Sequence, residues 1–377
     1  MPTNTGAQTT TNVLSNQLAI DIGKTISLLE PDVQVLTVLS REVSTEEAIA
    51  TKFRWLEDEA KARFDTTSAS ATAGAVEVAV VHGTFFQQWD QVLNTRTGEQ
   101  FRVDGVSGNT LTVTRAIGST GTAMLEGDEL YIVGTAQPEN DTSKVARAKT
   151  PSLLENNTQI FRTPFEISDT AANVGYMVMP KEWDRLQRNA AIEHAKDIEL
   201  ALIFGRKSAT TPGATEDRTT GGVLSFITSN QTDAGGTLSE AEWNAFLLQV
   251  MRYNLRKMAL GMCSGVGLSA LVKFPASKQI TKQEESTYGM NVTQFTGPFG
   301  TVKTVYHKLL EGVKFGGYII VIDLEEIAYK PLTNRDTKLL PNRQPNDQDG
   351  RKDEFLTECG LKFGQQRKHG VISGITG

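Results

Sequence analysis

Residues 180–205, PKEWDRLQRNAAIEHAKDIELALIFG, decide the fold. Pro180 suits a first helical position, where the missing N–H has no partner to lose, and Gly205 suits a stop. Between them Ala191, Ala195, Ile198 and Leu202 recur at spacings of four, three and four, so they share one face of an α-helix. Arg185, Arg188, Glu193 and Lys196 fall on the other faces. The spacing predicts a helix over about 180–204, roughly 35 Å long at ~1.5 Å per residue. A helix of that length is a strut, and the rest of the chain has to be arranged around it.

Upstream, Asn157-Thr-Gln-Ile-Phe-Arg opens a strand that runs to about Thr170. Further back, residues 75–135 read as all-β. Val76, Val78 and Val80 alternate with other residues, as do Phe101 with Val103 and Leu111 with Val113. Arg96-Thr-Gly-Glu, Ser107-Gly-Asn and Glu126-Gly-Asp supply the turns. Five short strands in about sixty residues predict a small barrel or sandwich. On either side the chain runs extended. Lys52-Phe-Arg-Trp alternates like a half-buried strand, and Ala136–Lys149 is polar, as if returning along the same path. The glycine-bearing joins Thr66–Gly74 and Gly134–Ser143 are the candidate hinges. Residues 1 to 17, rich in Thr, Asn and Gln, hold too little apolar surface to fold alone. Leu28–Leu39, interrupted by Pro31, predicts an irregular arm with short extended or helical pieces.

Downstream, Thr210–Thr220 is a polar loop. Ser239 and Glu242 predict a capping box. It opens a second helix with the stripe Trp243, Phe246, Leu247, Val250, Met251, Leu255 and Met258, ended by Gly261. Leu268–Phe274 predicts a buried strand and Pro275 the start of a third helix. Thr301–Tyr306 and Tyr318–Asp323 predict further strands, the second apolar enough to lie inside a sheet. The order helix, strand, helix, strand, strand over Trp243–Asp323 describes a mixed α/β domain.

The 377 residues carry 38 basic and 44 acidic side chains, a net charge of −6, and 39% of them are hydrophobic. That allows two domains and more than one core, and it gives no overall electrostatic reason to bind nucleic acid. Cys263 and Cys359 form no CxxC pair, which excludes the usual structural zinc site; both are expected to be reduced and partly buried. The N-terminal Met-Pro-Thr-Asn-Thr-Gly lacks the order of a signal peptide, and the most apolar stretch, Gly317–Leu324, is too short to span a bilayer. Assembly in cytosol, away from any membrane, is the expectation.

No catalytic constellation emerges. Gly265, Gly267 and Ala270 have GxGxxA spacing, but a dinucleotide site needs a strand before the glycines and a helix after them. The predicted order is the reverse. His82, His194, His307 and His369 are scattered; His194, beside Glu193 and Asp197, reads as part of a solvated, charge-paired helix face instead of a metal ligand. Asp323, Glu325 and Glu326 read as an exposed turn. Arg367-Lys-His is too short for more than a weak phosphate contact. No catalytic residue, cofactor-binding residue or metal ligand is predicted, and no cofactor.

What the chain does have is surface it cannot pack against itself: the polar arm, the two-way excursion from Thr51 to Thr150, and the Pro/Asn/Asp-rich segment Leu340–Gly350. In this order the elements resemble the Johnson (Hong Kong 97-like) fold of tailed-bacteriophage major capsid proteins. Phe53-Arg-Trp-Leu-Glu-Asp resembles the strand that opens that family's extended loop. Asn157-Thr-Gln-Ile-Phe with Ile167-Ser-Asp-Thr resembles the first strand of its peripheral domain. Glu199-Leu-Ala-Leu-Ile-Phe-Gly with Gly221-Gly-Val-Leu resembles the end of its spine helix. Glu354-Phe-Leu-Thr-Glu-Cys-Gly-Leu through Gly370-Val-Ile-Ser-Gly resembles its closing strands.

The resemblance implies an α+β chain with an N-terminal arm over 1–50 and an extended β-hairpin loop over 51–150, with a small all-β module inserted at its tip (75–135). It also implies a peripheral domain over 151–235 carrying the spine helix, a mixed α/β axial domain over 236–330, and a C-terminal segment over 331–377 returning to both. The implied function is self-assembly into pentamers and hexamers of an icosahedral head. That head would enclose double-stranded DNA held without sequence specificity, and portal, scaffolding and decoration proteins would be further partners. Two other readings stay open: an encapsulin-like cellular compartment shell, and a carbohydrate- or surface-binding protein built on the β module.

Overall fold

The computed structural model describes residues 35–59, 62–139, 150–174, 182–209, 217–254, 258–274 and 292–376. The chain divides into two compact units, 1–55 with 154–377 and 56–153. Pro180 and Pro275, both expected to start helices, lie outside the described residues, as do the polar N-terminal residues and residues 140–143 of the Gly134–Ser143 join.

The first described element is helix α1 (Val35–Val43), followed by strand β1 (Lys52–Glu57), whose burial alternates so that Phe53 and Trp55 face inward. Residues 56–153 then hold β2 (Phe64–Thr66), β3 (Glu77–Ala79), β4 (Asp90–Asn94), β5 (Gln100–Ser107), β6 (Thr110–Thr114) and β7 (Glu129–Thr135). They form one sheet in the order β2-β7-β4-β5-β6-β3. The antiparallel bridge Thr67↔Val80 joins its two outer strands, with Ser68 N donating to Ala79 O and Val81 N to Thr66 O at 3.0 Å each. The sheet therefore closes on itself as a small barrel, which leaves it no free edge. Its core is a cluster that includes Val80, Phe101, Val103, Leu111, Leu130 and Ile132. Gly98, Gly108 and Gly127 take positive φ at the turns, a backbone shape that glycine adopts without strain. Thr66–Gly74, expected to be a hinge, is instead tied into this unit by the bridges Thr67↔Val80 and Ala71↔Met124.

The chain returns through β8 (Ser152–Asn157), which pairs with β1, and β9 (Gln159–Ile167). A single turn of helix, α2 (Asp169–Asn173), precedes α3 (Glu182–Phe204). At 23 residues α3 is about 35 Å long. Its buried residues are Ala190, His194, Ile198, Glu199, Leu202 and Ile203, so the inward face is rotated from the one expected: Ile198 and Leu202 lie on it, while Ala191 is exposed and Ala195 half-buried. Two polar residues with dedicated partners take the places that the apolar spacing assigned to alanine. After the short pair β10 (Ser208–Ala209) and β11 (Arg218–Thr219) come α4 (Val223–Phe226), β12 (Gln231–Gly236) and α5 (Glu240–Met251). Helix α5 opens with the Ser239–Glu242 capping box.

Over Trp243–Asp323 the order helix, strand, helix, strand, strand holds with one strand added, but the expected boundaries fail. Helix α5 ends at Met251; Met258 and Gly261 belong to β13 (Met258–Cys263), and Leu268 lies in α6 (Gly265–Val272), not in a strand. The remaining strands are β14 (Val292–Thr296), β15 (Thr301–Tyr306), β16 (Ile319–Ile322), β17 (Ile327–Pro331), β18 (Lys338–Leu340), β19 (Arg351–Phe363) and β20 (Gly370–Ile375). A six-stranded mixed sheet runs β12-β20-β16-β13-β15-β14, with β12 parallel to β20 and β13 parallel to β15. Strand β16, buried at all four positions, lies in its interior. In a second sheet the long β19 pairs with β9 over nine residues on one edge and with β17 and β18 on the other. Helix α3 packs on β9 and β19, and its C-terminal apolar residues join a cluster shared with Met262, Ile320, Ile322 and Tyr329 of both sheets.

Candidate functional site

One buried carboxylate with partners from several parts of the chain is Glu199, which lies in α3 and is fully buried. Its Oε1 accepts from Leu36 N at 2.6 Å and from His307 Nε2 at 2.9 Å. Its Oε2 accepts from Thr37 N at 2.8 Å and from Thr37 Oγ1 at 2.5 Å. Leu36 and Thr37 open α1, so the carboxylate fills the place of a helix N-cap with a full negative charge at the positive end of the helix. His307 Nδ1 accepts from Leu309 N, which puts the ring proton on Nε2, facing Glu199. One carboxylate thus ties three distant segments together: α1, α3 and the turn that leaves β15.

The other end of α1 is held as firmly. Arg41 donates to Tyr329 Oη at 2.7 Å and to Asp336 Oδ1 at 2.8 Å, and its guanidinium lies 4.4 Å from the Tyr329 ring centroid. The chain then adds itself in parallel to β17: Glu46 N donates to Tyr329 O at 3.0 Å and Ala48 N to Pro331 O at 2.8 Å. Glu46 bridges Lys330 and Lys362 at 2.9 Å each, and these bonds hold its carboxyl below the usual range. Residues 35–48 are therefore a fixed base from which the preceding 34 residues begin.

Further buried polar groups lock the sheets. Asn156, fully buried, donates through Nδ2 to Leu361 O at 2.7 Å and Gly221 O at 3.0 Å and accepts from Gly221 N at 2.8 Å. His194 is not on a solvated face: it is 2% exposed, bonded to Thr163 Oγ1 at 2.9 Å and Thr357 Oγ1 at 2.7 Å, and burial lowers its pKa. His369 is fully buried, accepts from Asp323 N, and donates to Gly364 O; burial drives its pKa down to about 4. Asp323, expected in an exposed turn, is buried and caps that turn through Glu325 N. Lys368 pairs with Glu326. His82 is paired with Asp65 at 3.0 Å. Cys263 and Cys359 are free and wholly buried, beyond the partial burial expected, and burial pushes both thiols up, Cys359 to about 12.

The GxGxxA segment follows a strand and opens a helix, the order a nucleotide turn requires, so the ground on which it was set aside does not hold. A different one does. Ser264 Oγ caps Gly267 N at 3.0 Å, and Glu311 Oε1 accepts from Gly265 N at 3.0 Å. The helix end where a phosphate would sit already holds the protein's own carboxylate. Among the described residues no three His, Cys, Asp or Glu side chains group as a metal site, and no helix is long and apolar enough to cross a membrane.

Of these groups the sequence pointed to none as a junction. Glu199 gave one signal, a lone carboxylate inside the apolar run Ile198-Glu-Leu-Ala-Leu-Ile.

A long helix laid along a β9–β19 sheet, a mixed sheet sharing its core, and an anchored N-terminal segment define the class: the Hong Kong 97-like fold of phage capsid proteins. Chains of that fold superimpose over almost the full length. The capsid of an empty GTA particle matches with TM-score 0.52 and 10% identity, over 96% of this chain and 97% of that one. A chain of Mycobacterium phage Bobi matches with TM-score 0.52 and 8% identity, over 96% and 97%. In sequence, the major capsid protein of Pseudomonas phage PaMx41 is 25% identical over 293 residues, 72% of this chain and 68% of that one. The model of the SU10 major capsid protein family matches residues 1–376, and the chain belongs to that family. It is a phage major capsid protein.

Proposed function

We propose that the chain forms pentamers and hexamers that close into a head around double-stranded DNA, assembled in the host cytoplasm. Residues 151–235 with 331–377 would form the outer, peripheral wedge stiffened by α3, and 236–330 the axial domain gathered around the symmetry axes. Residues 51–150 would be the extended loop, carrying the 75–135 β module across a neighbour, and residues 1–50 an arm that reaches another subunit. Packaged DNA would meet the inner face through its backbone alone. Portal, scaffolding and decoration proteins are the further partners this reading expects.

One observation carries it. Residues 56–153 hold a closed barrel with its own apolar core, entered and left through the single strand pair β1–β8. A module that needs nothing from the rest of its chain to close its core is free to serve a neighbouring copy. Repetition by symmetry then adds many modest contacts into a stable shell. The test is a shell assembled from a chain lacking 62–139. The proposal expects the remaining unit to fold and the particles to be lost or changed in size or stability; particles identical to the parent's would refute a contact role for the module.

A further inference from the structure

At the Gln159 end of the β9–β19 ladder lies a polar cleft of about 230 Å³, walled by Thr51, Lys52, Asn157, Lys207, Ser208 and Arg218. Its cations outnumber the carboxylates they touch. Glu155 is shared by Lys52 at 2.8 Å, Arg54 at 3.2 Å and Lys207 at 2.8 Å. Glu358 is shared by Arg218 at 3.3 Å and Arg335 at 2.6 Å. Among the described residues, five cations in and beside the cleft share two carboxylates, a surplus of three, or two once Asp217, next to Arg218 in the chain, is counted. The Lys207 and Lys52 bonds hold the Glu155 carboxyl down at about 2, as a strongly positive setting does.

At the other end of the same ladder, before Arg351, lies the loop 345–350. Its Asp347 and Asp349 are exposed and make no ion pair among the described residues. Arg351 is taken up by Asp353 at 2.8 Å and stacks over Trp183 at 4.3 Å, while Arg343, exposed, is held beside the start of β19 by its N donating to Lys352 O at 2.7 Å. The register Gln159↔Cys359 to Ile167↔Arg351 separates the two ends by eight steps, about 27 Å at ~3.4 Å per residue. A six-residue loop cannot reach back to the cleft of its own chain.

We propose that Asp347 and Asp349 of one copy dock into the Lys52–Lys207–Arg218 cleft of the next. Complementary charges at opposite ends of one rigid sheet give a head-to-tail contact, the kind that closes into rings when the rotation per step allows. Such a contact chiefly speeds encounter and fixes register, and it weakens with salt. The inference rests on the reading of the chain as a self-assembling shell protein and adds which charges meet.

Three variants test it: D347K/D349K, K52E/K207E, and the four changes together. Each half alone should lower the association constant about tenfold or more per lost pair, seen as delayed light scattering and fewer particles by sedimentation. The fourfold variant should recover most of the loss, because the reversed charges again attract. K52E/K207E also disturbs Glu155, so its thermal melt before assembly is compared with the parent's. The Asp pair is exposed, and its reversal tests the inference without that complication. A second readout joins Asp347→Cys to Lys207→Cys. Under oxidation a ladder of disulfide-linked copies is expected, since Cys263 and Cys359 are buried. Parent-like assembly of D347K/D349K, or a double-cysteine protein that stays monomeric on a non-reducing gel while still forming particles, would overturn the contact and leave the shell reading standing. Absence of particles from the parent chain would instead sink the shell reading.

Discussion

Replacing Glu199 with Ala removes the acceptor for Leu36 N, Thr37 N, Thr37 Oγ1 and His307 Nε2 at once. The site is fully buried, so water does not take the carboxylate's place. Each stranded buried donor costs roughly 1–3 kcal/mol, and breaking a buried charged network by removing one partner costs about 3–5 kcal/mol. Against a total stability of the order of 5–15 kcal/mol that is a large loss. At 2–4 °C per kcal/mol for a unit of this size, the melting point of unassembled protein should fall by roughly 6–20 °C. Glu199→Gln should cost less, since its amide keeps one acceptor oxygen but turns an NH₂ toward the other donors. Limited proteolysis supplies the second readout: Glu199→Ala should expose α1 to cleavage while the 56–153 unit stays resistant. A variant that melts within about 2 °C of the parent, with α1 equally protected, would refute the claim that this carboxylate anchors α1.

Three other outcomes follow from the same structure. His369 is buried neutral with a pKa near 4 against an ordinary 6.5, so below about pH 6.5 the unfolded chain takes up a proton the folded chain refuses. Stability should be complete above that pH and fall by up to about 3 kcal/mol on acidification to pH 4, at ~1.4 kcal/mol per unit; urea midpoints across this range measure it, and His369→Gln should flatten the slope. At Gly222 a Cβ would lie 2.8 Å from three backbone atoms, whereas at Gly134 nothing lies within 4 Å. Gly222→Ala should therefore destabilise by about 1–3 kcal/mol and Gly134→Ala hardly at all, a contrast that denaturant titration would reveal or erase. Residues 62–139 expressed alone should melt cooperatively, because eleven buried apolar residues form their core without help; a non-cooperative trace would show that the barrel depends on the rest of the chain.

Elements whose pattern is local were legible in the sequence. The alternation Phe53, Trp55 gave β1, the Ser239–Glu242 box gave the start of α5, and the run from Glu182 to Phe204 gave α3. Where the pattern failed, tertiary context decided. Gly265 and Gly267 are poor helix formers, yet α6 forms because Ser264 and Glu311 satisfy its first amides and Ile319 packs so near Gly267 that a Cβ would lie 2.8 Å from it. Met258 and Gly261 continued a helical stripe on paper, but they are drawn into β13 between β15 and β16. The junction was the least visible part. Glu199 meets partners 162, 163 and 108 residues away, and no periodicity encodes a pairing over such a distance. His194 was misread for the same reason, since its Thr163 and Thr357 partners come from two other strands.

The most direct check is sedimentation velocity of the purified, full-length chain over a range of concentrations, with electron micrographs of the fastest fraction. A shell-building protein should run as capsomers or closed particles. A single species of 41.1 kDa persisting at the highest concentration, with empty micrograph fields, would contradict it.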